Sequence, residues 1–161
     1  TTEIYTLSLH DALPIYCGPS CIRMVASAYG KDYPLSYLRS LSHLTREGVS
    51  IAGIRDALQQ IGLRSATFEM TFEQLREHCP LPAILHWEQN HFVVLYDVRR
   101  SRVTGKWKYY VANPAYGKHT FDEEGMAHYW LNDTKGVVIA IEPTEQFFFA
   151  ISHSCRSFNC E

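Results

Sequence analysis

The 161-residue chain lacks an excess of either charge. Its 15 lysines and arginines stand against 17 aspartates and glutamates, a net of −2 with histidines neutral. Such a balance gives no electrostatic reason to expect nucleic acid or an anionic membrane as partner. No apolar run approaches the roughly 20 residues of a membrane-spanning helix, and FFFAIS at 147–152 is too short. No signal-peptide pattern opens the chain, no glycine-rich loop offers a cradle for nucleotide phosphates, and no segment repeats. Cysteine is sparse and irregular: of five, Cys17 and Cys21 stand four apart, Cys79 is alone, and Cys155 and Cys160 lie in a polar tail. This is neither metal spacing nor a disulfide framework. Reduced thiols, as in a cytosolic setting, are expected, with no metal or cofactor.

What is present is a hydrophobic content of 46% with 20% charged residues, enough to build the core of one globular domain. Gly18-Pro19 reads as the start of a helix, because a proline in the first turn gives up an N–H that would have had no partner. Ile22, Val25, Ala26 and Tyr29 mark its apolar face and Gly30 its end. A short helix with Leu35, Leu38 and Leu41 comes after Pro34. Ser50 can cap a third helix bearing Ile51, Ile54, Leu58 and Ile61, closed by Gly62. The period then changes. Strands are expected at 63–69, 82–87, 91–98, 107–113, 117–121 and 136–142, with amphipathic helices at 71–78 and 122–130. Helices first and mostly antiparallel strands afterwards give an α+β fold. The stretch 148–161 has no periodicity and is expected to be a disordered tail or the truncated start of a further segment.

IYCGPSC at 15–21 is one residue away from a thioredoxin-type CGPC loop. In such loops two residues separate the cysteines, so that both sulfurs meet at the helix start. Here three intervene, and Cys21 falls one turn further along, facing the core. Cys17 directly precedes the helix, where free N–H groups and partial positive charge stabilise a thiolate or a developing oxyanion. A buried inert thiol is the plain alternative. A thiolate nucleophile needs a base and a group that orients the base. Among eight histidines, His91 opens the most apolar run of the chain, directly after the polar Glu88-Gln89-Asn90 turn. It is either a base at a cleft or a hydrogen-bonded strand end, and His86 in the preceding strand is its competitor. Asn113 closes a strand at an Asn-Pro step, where its amide either points back across the sheet or simply opens a turn. Taken together, the order Cys, His, Asn is that of papain-like proteases.

From Tyr16 to about Phe147 the chain resembles the bacteriocin-processing cysteine peptidase domains fused to ABC exporters, in a variant like those of Bacteroides-type bacteria. The resemblance rests on CGPSCIRMVASAYGK, LSYLR, EGVSIAGIRDALQQIG, LPAILHWEQNHFVVLYDV, VANPAYG and VIAIEPTEQF in that order. It implies a papain-like fold over 16–147, with Cys17 as nucleophile, His91 as general base and then acid, and Asn113 in the orienting position. That position is usually Asp in the family. Asn still accepts the imidazole N–H but stabilises the imidazolium less.

The resemblance further implies a glutamine six residues before the nucleophile, whose amide helps hold the oxyanion. Asp11 stands there instead, and losing such a donor costs on the order of 10²–10³ in rate. Residues 1–15, TTEIYTLSLHDALPI, look like the in-frame translation of a sequencing-library adapter and are expected to be non-native. The implied function is cleavage of double-glycine leader peptides from bacteriocin-like precursors during export, in a narrow cleft admitting only glycine or alanine. The implied partners are the precursor and the membrane and ATPase parts of a homodimeric exporter, with the domain at the cytoplasmic face of a bacterial inner membrane. The rival from another class is a leader-binding module that does not cleave.

Overall fold

A computed structural model describes residues 16–88 and 91–154, with side chains as far as 149. Asp11, Gln89, Asn90, Cys155 and Cys160 lie outside the described residues. Three helices come first: α1 (Cys17–Ala28), α2 (Leu35–Leu41) and α3 (Ile51–Gln60). In α1, Cys21, Ile22, Met24, Val25 and Ala26 are buried, and Gly30 ends it with a φ of 88°. The Ser50 hydroxyl caps α3 by accepting the Gly53 N–H at 3.1 Å.

The remainder is one antiparallel sheet and three further helices. Its parts are β1 (Leu63–Met70), α4 (Phe72–His78), β2 (Ala83–Trp87), β3 (His91–Arg100), β4 (Trp107–Asn113), β5 (Gly117–Phe121), α5 (Glu123–Trp130), β6 (Leu131–Asn132), β7 (Lys135–Pro143) and α6 (Glu145–Ser154). The strand order is β1-β7-β2-β3-β4-β5, with the short β6 on β7. The strand latest in sequence therefore lies between β1 and β2, and closing that pairing requires the whole intervening chain.

The sheet separates two cores, which explains the unbroken apolar run of β3. Phe92 and Val94 join Ile84, Ala112, Ile139 and Ile141 beneath α1–α3. Val93 and Leu95 alternate to the other face, with Leu85, Trp87, Tyr109, Val111 and Val138, where Leu75 of α4 and Met126 and Trp130 of α5 cover them. A capping box between Thr71 and Gln74 starts α4, and the Asp122 carboxylate caps α5 through the Gly125 N–H at 2.8 Å. These caps fix the helices of the second core.

The sequence after 147 carries no period that predicts structure; α6 runs from Glu145 to Ser154, and residues 155–161 lie outside the described residues. Phe147 anchors the helix: the ring is fully buried and meets Tyr29 edge-on with centroids 6.2 Å apart. Gly62, at φ 90°, lets this happen, because a Cβ there would lie 2.7 Å from the Phe147 nitrogen.

Candidate active site

Cys17 is the first residue of α1, so it stands where the helix offers N–H groups without intrahelical partners. Its first turn lies tight on the next elements: a Cβ on Gly18 would come 3.1 Å from Val49 Cβ and 3.4 Å from Ile54. The cysteine is only 4% exposed. Burial pushes its thiol above the ordinary value, outweighing the N–H groups of Phe92, Gly18 and Cys17 itself, which pull it down. This corrects the expectation of a helix terminus that lowers the thiol pKa, since desolvation acts more strongly here than the oriented amides. The Phe92 amide also locates the sulfur: it lies beside the residue that follows His91.

Cys21 is fully buried, in keeping with its place one turn on, and burial pushes its thiol well up, with the neighbouring Cys17 adding to the effect. Cys79, at the end of α4, is pushed up to about 11 by burial alone.

His91 begins β3 and Asn113 ends β4. These strands are neighbours, with Val94 paired to Ala112, so the register brings the two side chains to the same end of the sheet. His91 Nε2 lies 2.9 Å from Asn113 Oδ1. The Ala115 N–H, beyond Pro114, donates to the same oxygen at 2.9 Å. A backbone N–H can only donate, which fixes this atom as the amide oxygen. An amide oxygen can only accept, so His91 Nε2 must carry a proton. In the neutral ring Nδ1 is then bare, the state required of a general base.

The competitor is placed differently. His86 pairs with Phe92 in the β2–β3 ladder and packs on its ring, centroids 4.9 Å apart, rather than on Asn113. Trp87 is the direct partner of His91 in the ladder and meets its ring edge-on at 6.4 Å. Tyr129 stacks on the same indole at 4.8 Å and Phe121 meets it edge-on at 5.6 Å. The amides of Phe92 and Ala115 had no sequence signal at all, because backbone groups are invisible in residue identities. Trp87 was visible only as a bulky neighbour.

Two of the surface depressions among the described residues bear on the site. The larger, 560 Å³, lies among α3, the start of β1 and Thr144, and none of the three residues above lines it. The smaller, 380 Å³, is lined by Trp87 and adjoins His91 through that ring.

A buried thiol at a helix start, beside a strand opened by a histidine held on an amide oxygen, is the arrangement of a papain-like cysteine peptidase. Residues 15–146 match the model of the Peptidase C39 family, and the chain belongs to that family. Its curated relatives include the colicin V secretion/processing ATP-binding protein CvaB of Escherichia coli, 32% identical over 139 residues, 86% of this chain and 18% of the relative. Another is the lactococcin-G-processing and transport ATP-binding protein LagD of Lactococcus lactis, 32% identical over 107 residues, 63% of this chain and 14% of the relative. The chain thus spans about a fifth or less of such relatives.

Among solved structures, a double glycine motif protease from an AMS/PCAT transporter, in complex with the leader peptide, superposes with a TM-score of 0.69. It is 26% identical and covers 80% of this chain and 84% of the other. The peptidase domain of Streptococcus ComA gives 0.68 at 20% identity, covering 81% and 93%, a likeness of fold. Among the described residues no helix is long and apolar enough to cross a membrane.

Proposed function

We propose that Cys17, His91 and Asn113 form the catalytic triad of a leader peptidase within an ABC exporter. The observation that carries the reading is the doubly anchored Asn113 oxygen, which leaves His91 with a proton on Nε2 and a bare Nδ1. His91 Nδ1 takes the thiol proton as Cys17 attacks the carbonyl carbon of the second small residue of the leader. The sulfur–carbon bond forms and the carbonyl oxygen becomes an oxyanion, for which the amides of the first turn of α1, without intrahelical partners, are the available donors. The imidazolium then protonates the leaving nitrogen, the amide bond breaks, and the acyl group stays on sulfur. Water, deprotonated by His91, releases the leader and restores the thiol.

The substrate is a bacteriocin-like precursor with a double-glycine leader. The longer protein supplies membrane and ATPase parts, assembles as a homodimer and holds this domain at the cytoplasmic face. Family membership and the processing roles that the relatives' names carry support this reading.

Incubation with a double-glycine precursor tests it: cleavage after the second glycine, abolished by Cys17→Ala, is the expected result. Asp11→Gln is expected to accelerate cleavage by up to about 10²–10³ by supplying the missing oxyanion donor. Precursor that binds to the Asp11→Gln variant but stays intact would overturn the peptidase reading in favour of a leader-binding module.

A further inference from the structure

The 380 Å³ cavity at the end of β2 adjoins the catalytic histidine yet has no part in the steps above. We propose that it receives the second residue after the cut, on the cargo side, and that it favours a cationic side chain there. The inference rests on the peptidase reading.

Direction comes from the chemistry. The acyl half of the substrate stays on Cys17, whereas His91 must protonate the leaving nitrogen, so that nitrogen lies on the imidazole side. Cys17 belongs to the core beneath α1–α3 and Trp87 to the core on the opposite face of the sheet, with the His91 ring in contact with Trp87. A chain running on from the leaving nitrogen passes the imidazole, moves away from the sulfur and meets Trp87. The two ring centroids are 6.4 Å apart. An extended residue advances about 3.3 Å, so two residues cover that span.

Preference comes from the lining. Glu88 is the only formally charged side chain among the described residues lining the cavity, and it is exposed. Beside it Trp87 and Tyr129 lie face to face, centroids 4.8 Å apart and planes inclined by 16°. The carboxylate attracts an ammonium or guanidinium group, and the aromatic pair beside it offers apolar surface to the methylene stem that carries that group.

The test uses the full chain and precursors identical through the cut, with Lys, Gln or Glu as the second cargo residue. The expected order of kcat/KM is Lys, Gln, Glu, with Lys ahead of Glu by about fivefold, the scale of a partly exposed ion pair. Glu88→Gln is expected to level the three and Glu88→Lys to reverse them. These are ratios within one enzyme, so a general loss of rate from changing a neighbour of His91 cancels. Cleavage with no ranking, or with the same ranking in both variants, overturns this inference alone. If the Asp11→Gln chain also leaves every precursor uncut, the peptidase reading fails and takes the inference with it.

Discussion

His91 Nε2 and Asn113 Oδ1 stand 2.9 Å apart, and the oxygen between them is fixed from behind by the Ala115 N–H. Two strand ends and one Asn-Pro turn thereby determine the tautomer of a histidine. The side chain of residue 113 should accordingly govern the base more than the fold. Asn113→Ala removes the acceptor, and cleavage is expected to fall by about 10²-fold or more, in line with general acid–base contributions. Asn113→Asp retains an acceptor and adds a negative charge that favours the imidazolium. Asn113→Asp is therefore expected to retain cleavage where Asn113→Ala loses it, and an equal loss in both variants would contradict the contact.

Gly62→Ala tests how α6 is held. The position combines φ 90° with a Cβ site 2.7 Å from the Phe147 backbone nitrogen, so neither the turn nor the helix can give way cheaply. A loss of about 2–4 kcal/mol is expected by denaturant titration, against the small gain that Gly→Ala gives at compatible sites.

Tyr109 is fully buried, and its hydroxyl lies 2.7 Å from the Arg76 guanidinium and 3.2 Å from the Glu123 carboxylate, linking β4 to α4 and α5. The phenol donates to the carboxylate and accepts from the guanidinium. Tyr109→Phe leaves both charged groups short of one partner at the edge of the second core, for a cost of about 1–3 kcal/mol, readable as a lowered Tm.

Raising the pH should destabilise the fold through its buried thiols and phenol. Cys17 and Cys21 are raised by burial, Cys79 stands at about 11 and Tyr109 at about 12, against ordinary values of 9.0 for the thiols and 10.0 for the phenol. Folded-state values above unfolded ones mean that the unfolded chain loses protons first. The stability from these neutral groups is complete below pH 9.0 and is lost as pH rises through about 11 and 12. Denaturant midpoints measured from pH 8 upward should fall steadily, and replacing Cys79 by Ala should flatten part of that fall.

The helical half was legible because each helix carries its own instructions. Ser50 caps α3, Gly30 and Gly62 close their helices, and the apolar residues recur at helical spacing, all within a few positions of one another. The strands were legible from alternation, and the order of Cys17, His91 and Asn113 was enough to name a chemistry. The thiol environment was not. A helix start argues for a lowered pKa, but the opposing desolvation comes from Phe92, Ile54 and other core residues far along the chain, whose approach no local pattern records. The seat of Phe147 against Gly62 and Tyr29 was hidden for the same reason, being a contact between residues distant in sequence.

The sequence by itself thus determined the elements, their α+β order and the three residue types on which a cysteine peptidase depends, because caps, periods and strand ends are properties of neighbouring residues. Only the tertiary structure decided that β7 lies between β1 and β2, that Asn113 rather than a solvent molecule meets His91, and that Trp87 joins the imidazole to a cavity. Those relations depend on register between strands and on packing across the sheet, where residues distant in sequence meet.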